Sequence, residues 1–326
     1  MSHFDARDLN SSFEKSALKP LYQTRAYRHI GAILLNWGII IGTAYLATLY
    51  LTVFSYLMAV IIIGARIHAL AILMHDAAHF RFLKNRKWND LITNFTCMYP
   101  IFSSIQAYRN KHLKHHQHLN TEQDPDWFAK VGRKEFSFPK SKREFLLTLL
   151  SYLFLIKGVK DAIWIIGRQK KHKQPANKSF HSRIPLLLFY GILLGGLSIT
   201  GLWWAYLVFW LVPVFSTFFM FQYIRSVAEH FGELSYDHLL TSTRSIIAHP
   251  VERFFFAPHQ VSYHLEHHLY PGVPYYNLPK LHHLLMSDPF YADKAHITHG
   301  FVKGLFNELG YYEASQQDPE KASALG

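Results

Sequence analysis

Cysteine is all but missing: Cys97 stands alone among 326 residues. That excludes a disulfide framework, Cys-ligated zinc fingers, iron–sulfur clusters and the C-x-x-C-H haem attachment. No His is followed by Glu, so the H-E-x-x-H element of zinc proteases is absent. Charge is missing in two places. From His29 to Ala65 there is no Asp, Glu, Lys or Arg for 37 residues, and from Ile184 to Ile224 there is none for 41. Half of the chain is apolar, which excludes disorder. A mean hydropathy of +0.01 therefore averages two unlike parts.

A helix crosses a bilayer with about 20 apolar residues, so each charge-free stretch has length for two spans. The breaks fall at Leu49–Thr52 and Ser198–Gly201, giving spans near 31–48, 53–73, 184–197 and 202–224. Lys and Arg set the orientation. Residues 1–28 carry five, 81–183 carry 21 and 225–326 carry seven, while the hairpin tips carry none. Both termini and the long middle segment are thus expected on the cytoplasmic face, and the first 28 residues contain no apolar signal-peptide core. The expected architecture is an all-α integral membrane protein. Four transmembrane helices form two hairpins beneath a cytoplasmic helical cap. Residues 1–28 form a cytoplasmic segment, 29–313 the membrane catalytic domain and 314–326 a disordered tail.

Within the middle segment, Leu91–Ser104 is apolar but short and contains Pro100, which predicts an interfacial or re-entrant piece. Glu144–Ile166 carries Lys157, Lys160 and Asp161 and reads as a helix lying in the interface rather than a fifth span. The run Arg168–Lys173 is a basic loop suited to anionic headgroups. Membrane adjacency accounts for this charge, so nucleic acid is not an expected partner.

What is abundant is histidine, with 22 residues, and three clusters have ligand spacing: His75-x-x-x-His79, His112-x-x-His115-His116 and His264-x-x-His267-His268. Spacing of three or four puts imidazoles on one helix face, so each cluster can aim at one point. His230 follows the fourth span directly and joins them. Nine imidazoles exceed one tetrahedral zinc and suit two five- or six-coordinate transition metals. Asp76, Glu229 and Glu266 lie inside the motifs as carboxylates that could orient the ligands. His68, two turns before His75, could reach the same face, and His118 could be solvated or support the site. His3, His29, His172 and His181 are expected at the surface, and Arg66 and Arg225 are expected to snorkel or pair with carboxylates.

With these boxes the chain resembles the integral membrane fatty acid desaturases, most of all bacterial acyl desaturases through His264-Leu-Glu-His-His-Leu-Tyr-Pro-Gly-Val-Pro-Tyr-Tyr-Asn-Leu-Pro-Lys-Leu-His282. The resemblance runs from about Ala65 to His283. It implies a non-haem diiron centre held by the nine histidines, with O2 as co-substrate and a cis double bond as product. Acyl-CoA desaturases have an Asn that holds a metal-bound water where this chain has Ser226. The substrate would be an acyl lipid or acyl thioester. With no G-x-G-x-x-G fingerprint and no H-P-G-G element of a fused cytochrome b5, the electrons would come from a separate ferredoxin or cytochrome b5-like protein. A bacterial inner-membrane location follows. The rival readings are a lipid or carotenoid hydroxylase or ketolase on the same fold and, more remotely, a divalent-metal transporter. The charge-free spans speak against the transporter.

Overall fold

The computed structural model describes residues 15–171 and 183–309. Helix α1 covers Ala26–Leu49 and α2 covers Val53–Ala78. Thr52 separates them as a reciprocal cap: its hydroxyl accepts from Ser55 N at 3.0 Å, and its own N–H donates to Ser55 Oγ at 3.1 Å. Helix α2 runs one turn past the expected span end, so His75 lies inside it and His79 is its C-cap.

Helix α3, Arg86–Thr93, starts on the side-chain cap of Asn85 and continues into a π-helical turn at Asn94–Met98. The segment expected to be interfacial or re-entrant is folded inward, with Asn94, Cys97, Met98, Tyr99 and Pro100 buried. It reverses at Phe102 into α4, Ile105–Gln117. The apolar stretch expected as one interfacial helix is two: α5, Lys142–Leu153, and α6, Ile156–Lys171, separated by Leu155 at φ +65°. The side chains of Arg168–Lys173 and the tail 314–326 lie outside the described residues, as do His3, His172 and His181.

Helix α7 covers Ile184–Thr200 and ends at Gly201, whose φ of +67° stops the ladder. Helix α8 covers Trp203–His230. Pro213 has no N–H to give to the ladder, and the π-helical turns Leu207–Leu211 and Val214–Phe218 flank it and absorb the defect. Among the described residues three helices are long and apolar enough to cross a membrane: α1, α2 and α8. With 17 residues α7 is apolar but shorter. Helices α2 and α8 touch at Gly64, where a Cβ would overlap Thr217 Oγ1, and that hydroxyl donates to Val60 O at 2.7 Å.

After α8 the chain runs through turns over 231–244 into a parallel pair of short strands, β1 (Ser245–Ile247) and β2 (Ile297–His299), in the register Ser245↔Ile297. Helices α9 (Pro250–Phe255), α10 (His264–Leu269) and α11 (Leu278–Leu285) lie between the two strands. Leu265, Leu269, Leu278, Leu281 and Leu285 form the core of this region. Outside the bundle, α1 leaves Leu34, Leu35 and Ile41 exposed and α7 leaves Leu187, Leu188 and Ile192 exposed. Such an apolar rim is suited to lipid.

Candidate metal centre

The nine histidines converge from four elements, the end of α2, the C-terminal half of α4, the last residue of α8 and the short α10. They form two groups: His75, His79, His112, His116 and His267 in one, and His115, His230, His264 and His268 in the other. Each cluster was expected to aim at one point, but the structure splits both H-x-x-H-H boxes. Residues four apart lie about 40° from each other around a helix, whereas adjacent residues lie about 100° apart. His112 and His116 therefore serve one group and His115 the other. His264 and His268 serve the second while His267 crosses to the first. The groups adjoin, with the His116 and His268 ring centroids 4.3 Å apart.

The donor atoms face one another. Nε2 of His112 is 2.9 Å from Nε2 of His79 and 3.0 Å from Nε2 of His116, which is 3.0 Å from Nε2 of His267. In the second group His264 Nε2 is 2.9 Å from His230 Nε2 and 3.0 Å from His268 Nε2. One imidazole nitrogen carries either a proton or a lone pair. His112 and His116 each face two partners through one nitrogen, so a chain of ordinary hydrogen bonds cannot serve these contacts. His75 Nε2 is buried with no partner at all. A cation that accepts every lone pair resolves the arrangement. Two donors about 2.1 Å from a metal lie about 3.0 Å apart at a right angle and about 3.4 Å apart at the tetrahedral angle. The observed separations match the right angle, and with it five- or six-coordinate transition metals.

Burial lowers His79 to about 4, with nearby Asp76 opposing the shift. Burial, reinforced by crowding among the rings themselves, holds His112, His116, His264, His267 and His268 well below the usual histidine range. Neutral rings are the metal-binding form.

The carboxylates are arranged differently from the sequence expectation. Glu229 does lie behind a box residue, with Oε1 3.4 Å from His264 Nδ1, and it accepts from Arg225 Nε at 2.6 Å. Asp76 instead pairs with His29 Nε2 at 3.2 Å and accepts from Tyr275 N at 3.3 Å. Glu266 faces away from both groups, because it lies about 200° around α10 from His264. It takes His282 Nδ1 at 2.5 Å, the Tyr291 hydroxyl at 2.9 Å and the Ser245 hydroxyl. The carboxylate that orients a ligand most directly is Asp124, with Oδ2 2.8 Å from His115 Nδ1. Its sequence signal, an Asp before Pro125, marks a helix cap and does not point to histidine.

Other expectations also change. His29 is fully buried, stacked 5.1 Å from Phe82, rather than at the surface. Arg66 neither snorkels nor meets a carboxylate. It is buried over the Phe254 ring, 3.6 Å from its centroid, and donates to Phe254 O. His68 belongs to neither histidine group and lies parallel to Phe221 at 6.2 Å. His118 is the half-buried C-cap of α4. Ser226 is buried one turn before His230, and its hydroxyl has no partner.

The fatty acid desaturase family model matches residues 49–300, most of the chain. The chain belongs to the fatty acid desaturase family. It is 32% identical to the dihydrorhizobitoxine desaturase of Bradyrhizobium elkanii, over 93% of this chain and 91% of that one. It is 22% identical to an sn-1 oleoyl-lipid 12-desaturase of Anabaena variabilis, over 84% and 82% respectively. To an sn-1 acyl-lipid omega-3 desaturase (ferredoxin) of Nostoc sp. (strain 36) it is 24% identical, over 67% and 63%. This desaturase is an oxidoreductase, and its apolar helices make it a membrane protein.

Proposed function

We propose that this desaturase inserts a cis double bond into the acyl chain of a membrane lipid, using O2 and two irons. One iron would be held by His75, His79, His112, His116 and His267, and the other by His115, His230, His264 and His268. The observation that carries this reading is the pair of buried all-nitrogen donor sets at right-angle spacing. Two redox-active irons would supply O2 activation and the removal of two hydrogens from adjacent methylenes.

The chain's own groups prepare that centre. His115 Nδ1 donates to Asp124 Oδ2, which leaves Nε2 as the nitrogen free to hold a metal. Glu229 stands behind His264, and Arg225 keeps Glu229 in place. The surrounding apolar residues exclude bulk water: Leu73, Ala77 and Ala78 of α2, Val227 and Ala228 of α8 and Leu265 of α10 are all buried.

The bilayer arrangement is two hairpins, α1–α2 and α7–α8, with both termini and the histidine-bearing cap in the cytoplasm of a bacterial inner membrane. At about 1.5 Å per residue α7 reaches about 26 Å, which local thinning of a bilayer core about 30 Å thick accommodates. Exposed Leu146, Leu147, Val159, Ile163 and Ile166 give the α5–α6 pair an apolar face suited to the interface. The electrons come from a separate ferredoxin. The ferredoxin-linked relative and the net charge of +12 support that partner.

The test is expression in a host of known lipid content, with acyl chains analysed by gas chromatography and mass spectrometry. A new unsaturated acyl species is expected, absent with His267→Ala. Hydroxylated product alone, or no new double bond with any supplied acyl lipid, overturns the reading.

A further inference from the structure

The first histidine box is not held as one continuous helix. Helix α2 stops at Ala78, and His79 sits outside as the C-cap at φ −86° and ψ 10°, its N–H turned onto Asp76 O at 3.1 Å. The next residue, Phe80, is left-handed at φ +57°, a conformation that a bulky residue rarely adopts. Backbone bonds from Phe80 N to Ala77 O at 3.0 Å and from Arg81 N to Asp76 O at 3.1 Å close this turn, and Arg81 Nε donates to His79 O at 2.9 Å, but none of them ties the turn to α4. At the negative end of the helix dipole Asp76 O accepts from His79 N and Arg81 N and Ala77 O accepts from Phe80 N, while Ala78 O takes its donor from a side chain.

One side chain joins this turn to α4. Arg109 lies on α4, one turn before His112. Its Nε donates to Ala78 O at 2.8 Å and one terminal nitrogen donates to Ala77 O at 3.4 Å. The other face of the guanidinium fork is bidentate to Asp90 of α3, at 2.9 and 2.6 Å. Its carbon stands 4.0 Å from the Phe80 ring centroid, against the left-handed residue. Asn89 adds a second donor to Ala77 O at 2.9 Å. Asp90 is held further by Gln106 Nε2, also on α4, at 3.2 Å. Both charged side chains are largely covered, at 11% and 19% exposure.

We propose that Arg109, locked by Asp90, is the positioning residue that sets the end of α2 against α4 and so builds the five-histidine group. Four of its five imidazoles come from these two elements: His75 and His79 on one side of the clamp, His112 and His116 on the other. The second group draws only His115 from α4 and none from α2, so it does not depend on this joint in the same way. Lysine cannot replace the residue, because an ammonium is a point donor without the planar fork.

The proposal rests on the two-metal reading above, and its test separates the two. Metal-free protein in detergent is titrated with Co2+, followed by its visible absorption, for the parent, Arg109→Gln, Arg109→Lys, Asp90→Asn and the double variant Arg109→Gln/Asp90→Asn. The parent is expected to bind two Co2+. In Arg109→Gln one of the two weakens by about 10-fold or more, and the other keeps its parental affinity and spectrum. Arg109→Lys does not restore it, and the double variant is no worse than Arg109→Gln because the pair acts as one unit. Asp90→Asn keeps the side-chain shape and leaves Arg109 its carbonyls, so it remains informative where Arg109→Gln folds poorly; a selective weakening of one Co2+ is expected there as well. Two Co2+ bound with unchanged affinity in all the variants, equal weakening of both, or additive losses overturn the clamp. A parent that binds fewer than two overturns the ligand assignment and the clamp with it.

Discussion

His115 and Asp124 meet in the interior, Nδ1 to Oδ2 at 2.8 Å, with side chains 3% and 0% exposed. The contact joins a residue of α4 to a loop aspartate that is itself tied down. Asp124 accepts from Asn120 N at 3.0 Å and from Asp126 N at 2.8 Å. The carboxylate cannot turn away, so the ring it faces has one orientation. Among the described carboxylates it makes the shortest contact to any of the nine box histidines.

Asp124→Asn should therefore weaken metal binding at the four-histidine group by about 10–100-fold and leave the five-histidine group near the parental value. An amide can still accept the imidazole proton but no longer offsets the metal charge. Iron per chain, measured by plasma mass spectrometry after dialysis against graded chelator, is expected to fall from two towards one.

Glu266→Gln should act through the position of α10 rather than on a ligand directly. The carboxylate gathers His282, Tyr291 and Ser245 around the outer side of the third box. A Gln leaves at least one of these buried partners without its acceptor, at a cost of about 1–3 kcal/mol. Lower thermal stability of the metal-free protein is expected, and Tyr291→Phe should give a smaller loss of the same kind.

How far the sequence foretold this arrangement depends on the range of the interaction. The hairpin break at Leu49–Thr52 was legible because the missing charges and the local Thr52–Ser55 cap both act within a few residues. Eight of the nine histidines were legible because their spacing is helical, and His230 because it follows the fourth span directly. Their division into two groups was implicit in the same helix geometry, since adjacent His115 and His116 cannot face one point. Asp76 and Glu266 misled because neighbours in sequence on a helix diverge in space. Asp124 and Arg109 carried no signal, because the chain reversals that bring them to His115 and to the end of α2 are tertiary.

Gly64→Ala tests the contact on which the two long spans rest. A methyl group there would overlap Thr217 Oγ1 and crowd Phe218 N, with no flexible side chain to yield. Overpacking of this kind costs about 1–3 kcal/mol. A lower unfolding temperature in detergent is expected. Because α2 and α8 carry His75 and His230, metal affinity should fall as well. Gly38→Ala on α1, where nothing lies within 4 Å of the added carbon, should leave both quantities unchanged.

Acid should unlock the cap at Glu308. Burial works against its ionised form. Hydrogen bonds from His296 at 3.1 Å and from Thr298, with the Arg244 guanidinium 3.0 Å away, outweigh that and hold its pKa below the ordinary 4.5. A carboxylate with a depressed folded-state pKa contributes stability that is fully present above the unfolded value. That contribution is lost as pH falls through the folded value. Arg244 is fully buried and donates to Phe231 O at 2.8 Å, so losing its counter-charge strains the joint between the end of α8 and the β1–β2 pair. Glu308→Gln should therefore lower the unfolding temperature most at neutral pH. Parent and variant should converge as pH drops below the ordinary glutamate range, because protonated Glu308 then offers what Gln offers. Melting curves of both proteins from pH 7 to pH 3 decide it. A gap that stays constant over that range would show that the ionised carboxylate is not what holds the joint.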